Sequence, residues 1–176
     1  MTGFLRPLLV AVLSLVALPA PAQPTRWAMV GEWNISYYPA TGGCLAYTLW
    51  DRTAMFIGFD TREGLRALDV TLLDERWKSI EPGVVYPVGV RFGRRPAWTL
   101  DMTGVVMDGA PGLNILVNAE RDKAQQLLAE FRRELRMTWT YDGTELGRFP
   151  LHGSRRAFDA VLECQRHHDR LIALFP

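Results

Sequence analysis

The residues of this chain whose types could do chemistry are three histidines, a serine at a strand-to-helix junction, two cysteines and a cluster of arginines. His152, His167 and His168 all lie near the C-terminus. Glu163 and His167 stand four apart, close enough on a helix to share a metal ion. His167 and His168 are adjacent, so on a helix they diverge by about 100° and do not easily hold one ion. A polar helix end also accounts for them, because cationic side chains complement the negative end of the dipole. No ligand cluster has a familiar spacing, so no metal is expected.

Ser154 lies in the run HGSRR, two residues after His152. A hydrolase nucleophile elbow sets its serine in G-x-S-x-G at a strand-to-helix turn. The context is right, but Arg156 stands where the second glycine belongs. A helix N-cap explains Ser154 without catalysis, its hydroxyl accepting from the first unpaired amides. Cys164 could be a nucleophile beside His167 or His168. It falls on an apolar helix face, however, and a buried thiol is inert. Acidic residues are scattered and form no obvious acid/base pair. No catalytic residue is assigned.

Arg91, Arg94 and Arg95 gather around a turn next to Trp98. Guanidinium groups beside an aromatic ring suit an anion or a sugar, so these four are the candidate binding residues. An exposed hairpin tip is the plainer reading. Of the six tryptophans, Trp27, Trp33, Trp50, Trp77, Trp98 and Trp139, most are expected in the core, as large aromatics suit a pleated surface. No phosphate-cradling loop, zinc ribbon, calcium loop or haem motif is present, and no cofactor is expected.

The elements that must position these residues are mostly strands. Trp27 to Tyr38 alternates apolar and polar and reads as one half-buried strand. Cys44 to Trp50 places Leu45, Tyr47 and Leu49 on one face and Cys44 on the other. Thr53 to Asp60 is apolar on both faces and is predicted to be central. Leu68, Val70 and Leu72 alternate with Asp69 and Thr71, predicting a strand with one wet face. Tyr86 to Phe92, Trp98 to Met102 and Leu113 to Val117 follow with the same period. A first helix carries Ala124, Leu127, Leu128, Phe131 and Leu135 on one stripe. Met137 to Tyr141, Asp142-Gly143 and Thr144 to Leu151 form a hairpin. The last helix buries Ala157, Val161 and Cys164 and exposes Arg155, Asp159, Glu163 and Arg166. The class is therefore α+β: an antiparallel β-sandwich or barrel of about nine short strands, with two late helices packed on it. No βαβ rhythm is present, which argues against a parallel nucleotide-binding sheet.

Residues 1–22 read as a cleaved signal peptide. Arg6 precedes an apolar run from Leu8 to Leu18, and Ala20-Pro21-Ala22 is a small-x-small site. Residues 23–176 are then a single exported domain, periplasmic or secreted, with no transmembrane segment after cleavage. Its compartment is oxidising, and two cysteines there are most simply one disulfide, Cys44–Cys164. With 20 basic against 19 acidic residues, no nucleic-acid partner is expected.

The W-x-x-I run at Trp77 to Ile80, the G-x-x-Y-x-V run at Gly83 to Val88 and the closing L-x-G-S-x-x-A-F from Leu151, with Cys164 after it, resemble uncharacterised exported β-rich proteins of Gram-negative bacteria. The closing pattern is also similar to the invasion-associated locus B family, periplasmic or secreted β-rich proteins without a known enzymatic activity. That family usually carries more cysteines than this chain. The resemblance implies export and a β-rich fold and carries over no catalytic residue. The expected function is a non-catalytic binding or interaction module for a protein, small-molecule or sugar ligand. The alternatives are a hydrolase using Ser154 with a nearby histidine, and a structural component of the cell envelope.

Overall fold

The structure is a computed structural model describing residues 23–62, 64 and 66–174. The proposed signal peptide lies outside the described residues. In chain order the elements are β1 (Thr25–Val30), β2 (Trp33–Tyr38), β3 (Gly43–Trp50), β4 (Thr53–Asp60), β5 (Ala67–Leu73), β6 (Val85–Phe92), β7 (Trp98–Met107), β8 (Ala110–Asn118), α1 (Asp122–Arg133), β9 (Arg136–Tyr141), β10 (Thr144–Pro150) and α2 (Ser154–Leu174).

All ten strands join one sheet in the order β1-β2-β3-β4-β5-β8-β7-β6-β9-β10. Every neighbouring pair is antiparallel. The first five strands are a meander, so each hairpin buries its apolar face beside the last. Two ladders between strands that do not follow one another, β5 with β8 and β6 with β9, break that order. The sheet curls until the Thr53 hydroxyl at the start of β4 comes within 3.5 Å of the Leu146 carbonyl on β10. Of the two expected architectures this is nearer a barrel, left open because β1 and β10 form no ladder with each other. The class is α+β, as the sequence predicts.

Strand alternation decides the core. Ile35, Cys44, Ala46, Met55, Ile57, Leu68, Val70, Leu72, Val88, Val90, Met102 and Leu113 all point to the inner face and are fully buried. Both helices fill that face. Trp33 on β2, Phe131 on α1 and Phe158 on α2 meet edge-to-face at their junction, with Phe59 against Phe158 at 5.8 Å. Each such side chain contributes roughly 1.5–3 kcal/mol by leaving water.

Three expectations are corrected. Trp27 to Tyr38 is a hairpin, not one strand: Gly31, at φ +59°, and Glu32 make a two-residue turn between Val30 and Trp33. Glycine takes this positive φ without strain, but the alternating pattern around it hides the turn. Leu135 is 69% exposed because α1 ends at Arg133, before the stripe is complete. The Asp69–Thr71 face of β5 is not wet: both side chains are buried, at 5% and 2% exposure. Polar partners on β5 and β8 close over this outer face, Thr71 and Asn114 both bonding Asp69.

Candidate functional site

The cysteines are joined. Cys44 on β3 and Cys164 on α2 form a disulfide with Cα atoms 6.1 Å apart, across 120 residues of chain. Gln165, beside Cys164, is buried and reinforces the tie. Its side-chain oxygen accepts from the Cys44 N–H at 2.8 Å, and its amide donates to Asp169 at 2.8 Å. Gly58 makes the close approach of β3 to β4 possible, since a Cβ there would lie 2.1 Å from the Cys44 carbonyl oxygen.

Ser154 is 2% exposed. Its hydroxyl donates to the Phe131 carbonyl at 2.7 Å. That carbonyl sits in the last turn of α1 and has no partner within its own helix. The expected N-cap role is therefore corrected: the hydroxyl ties the end of α1 to the start of α2. Gly153, at φ +77°, makes the bend, and its carbonyl accepts from the Ala157 N–H. His152 is exposed and engages through its backbone, accepting from Trp33 Nε1 at 3.1 Å. Ser154→Ala leaves the Phe131 carbonyl buried without its donor and is expected to cost about 1–2 kcal/mol. Urea denaturation checks this; an unchanged midpoint would mean that water replaces the hydroxyl.

The candidate arginines differ in their recorded partners. Arg95 turns toward α1, within 3.1 Å of Glu134 and 3.8 Å of Glu130. Hydrogen bonds from Arg95, then from Arg133, hold the Glu134 carboxyl below the ordinary range. Arg91 and Arg94 are exposed, and Trp98 is half-buried against the core.

The concave surface on which aromatic and charged groups converge lies elsewhere, around the β3–β4 hairpin. On one side is a cleft of about 580 Å³, lined by Tyr38, Tyr47, Leu49, Arg52, Phe56 and Met107 among others. Tyr47 on β3 and Phe56 on β4 are cross-strand partners, with ring centroids 4.8 Å apart. Tyr38 meets Phe56 edge-on at 6.2 Å. Burial, and then the neighbouring Tyr47, push the Tyr38 hydroxyl above its ordinary range. Leu49 at the rim is 55% exposed. On the other side of the hairpin, Trp50, Trp77, Arg76 and Arg148 line a second cleft of about 380 Å³. Trp50 is 44% exposed.

The hairpin tip is itself strained. Asp51 and Arg52 have φ of 45° and 69°. Asp108-Gly109 and Asp142-Gly143 make turns of the same sign with glycine in second place. Arg52 occupies that place here, at a cost of about 1–2 kcal/mol relative to glycine. Arg76 holds the turn, donating to the Asp51 carbonyl at 2.9 Å. Arg76 also grips the buried Asp74 through both its oxygens. Burial alone would push the Asp74 carboxyl up, but hydrogen bonds from Arg76 and Thr53 hold it below the ordinary range.

The cleft floor continues across the sheet, as Phe56 pairs with Thr71 and Thr71 with Asn114. Asp69 lies beside them. Its Oδ1 accepts from the Thr71 hydroxyl at 2.7 Å and from the Asn114 amide at 2.9 Å. Burial pushes the Asp69 carboxyl up, and the charge of Asp60 adds to this. The Thr71 and Asn114 hydrogen bonds and the Arg62 charge pull the other way, and it settles at about 6. Alternation along β5 places Asp69 and Thr71 on one face. Only the β5–β8 ladder, between strands far apart in sequence, reveals Asn114 beside them.

No family model matches this chain, and no curated protein or solved structure matches it.

Proposed function

We propose that the protein is an exported, non-catalytic binding module, periplasmic or secreted, that takes its ligand around the β3–β4 hairpin. The observation that carries this reading is the paired clefts there, with Tyr47 and Phe56 in one and Trp50 and Trp77 in the other. A cleft of about 580 Å³ is in the size range of small-ligand sites. Half-exposed aromatic rings beside charged groups suit a ligand with a flat apolar face and a polar edge, such as a sugar or an aromatic side chain of a protein partner. Arg52 fits the same reading, because strained residues persist where they serve a site. The disulfide is in keeping with an oxidising compartment.

The hydrolase alternative finds no nucleophile at Ser154, whose hydroxyl is buried and already donates to Phe131. A structural role in the envelope would use the same exposed surface against an insoluble partner. It is distinguished by pelleting of the protein with membranes or peptidoglycan.

The first test is thermal denaturation with a panel of soluble cell-wall oligosaccharides. A bound ligand at about 100 times its Kd adds about 2.7 kcal/mol, a rise in Tm of roughly 5–10 °C for a domain of this size. Tyr47→Ala and Trp50→Ala are expected to abolish the rise. If no sugar shifts the wild type, the sugar form of the reading fails. A shift that survives both variants places the ligand elsewhere.

A further inference from the structure

We propose that the reduced protein holds a zinc-class divalent ion between Cys44, Cys164 and His168, so that disulfide and metal are alternative occupants of one site. Each of these residues offers one ligand atom, and the three atoms lie within 4.8 Å of one another. Among the described residues no other group of three potential ligands is so placed.

Cys164 and His168 are four apart on α2, the spacing that puts two side chains on one helix face, one above the other. Cys44 faces them from β3. Tetrahedral zinc, with Zn–S bonds of about 2.3 Å, keeps two sulfurs about 3.8 Å apart. A Cα separation of 6.1 Å leaves the side chains that much room by rotation about χ1. Two thiolates and an imidazole are a soft donor set that selects zinc, cadmium or cobalt over calcium or magnesium.

His168 is pre-oriented. Its ring stacks on Tyr37 with centroids 3.7 Å apart and planes 6° from parallel. Tyr37 pairs with Cys44 across β2 and β3, so the same ladder fixes both ligands. Gln165 supplies no fourth ligand, because its oxygen accepts from the Cys44 N–H and its nitrogen donates to Asp169. The fourth position falls to water.

The chemistry balances with a thiol reductant. Two equivalents of R–SH reduce the protein disulfide to two thiols and leave as R–S–S–R. The ion then binds both sulfurs as thiolates and releases two protons to solvent. Either closure ties α2 to β3, so the metal replaces the crosslink that reduction removes.

The test uses the exported protein, reduced with a phosphine under anaerobic conditions and titrated with Co(II). One ion per chain is expected, with thiolate-to-cobalt charge-transfer absorption that Zn(II) abolishes by displacement. The oxidised protein is expected to show none. His168→Ala should weaken the affinity at least about tenfold, as loss of a direct ligand must exceed the loss of an outer-shell partner. His167→Ala should leave it unchanged. Near-ultraviolet circular dichroism follows the fold in parallel, and the metal-loaded reduced protein should regain the native signal. No absorption after reduction overturns the proposal. So does an affinity indifferent to His168, or binding to a chain that stays unfolded.

Discussion

Replacing both Cys44 and Cys164 by alanine is expected to destabilise the protein by about 4–5 kcal/mol while leaving its strand content intact. The bond closes a segment spanning 120 residues, from β3 to α2. Cross-linking so long a loop removes much of the entropy of the unfolded chain, and the chain-entropy estimate for such a loop is about 4–5 kcal/mol. For a domain of this size the loss corresponds to roughly 10–20 °C in Tm. The native contacts change little. Both sulfurs are buried, but Gln165 still bonds the Cys44 backbone, and Ala157, Phe158 and Val161 still fill the inner face of the sheet. The double variant is therefore expected to fold to the same far-ultraviolet spectrum and to unfold at lower urea. Replacing Cys44 alone would leave a buried free thiol and confuse the comparison. A double variant within about 1 kcal/mol of the oxidised wild type would mean that α2 holds the unfolded chain together without the bond.

Much of this fold is legible in the sequence because its hairpins are local. Asp142-Gly143 marks the β9–β10 turn, and both residues adopt the positive φ that such a turn requires. The alternation in β3 puts Cys44 opposite Tyr47, and the periodicity of α2 puts Cys164 with Val161, so the two sulfurs must face one interior. The β1–β2 turn is harder to see, because Gly31 interrupts an alternation that continues on both sides of it. Ser154 misleads for another reason. The sequence offers it to the amides of its own helix, whereas the nearest unsatisfied group is a carbonyl on α1. The partners of Arg95 are hidden for the same reason, since Glu130 and Glu134 lie on and just after a helix that local sequence does not place beside it. The aromatic cleft is built from β2, β3, β4 and the β7–β8 turn. Its lining comes from strands and turns far apart in sequence, which no short stretch brings together.

Asp69→Asn is expected to stabilise the protein above pH 6 and to remove much of its pH dependence between pH 4 and pH 6. Asp69 binds its proton more tightly when folded, at about 6, than at the ordinary value of 3.8. Below pH 4 the carboxyl is protonated in both states and costs nothing. As the pH rises from about 4 to about 6, the unfolded chain ionises first, so stability falls. Above about 6 both states are ionised, and the loss levels off. At about 1.4 kcal/mol per unit, the whole loss is roughly 2–3 kcal/mol. Asparagine keeps an oxygen to accept from Thr71 and Asn114 but carries no charge to bury. Stability measured by urea denaturation from pH 4 to pH 8 tests this, through the difference between variant and wild type. A difference that grows toward high pH and then levels off is the expected result. A difference independent of pH would mean that Arg62 and the surrounding dipoles stabilise the ionised form as well as water does. If the profile is as expected, the wild-type chain keeps a destabilising carboxylate beside the aromatic cleft. The same variant, assayed with whatever ligand the cleft accepts, then tells whether that charge serves binding.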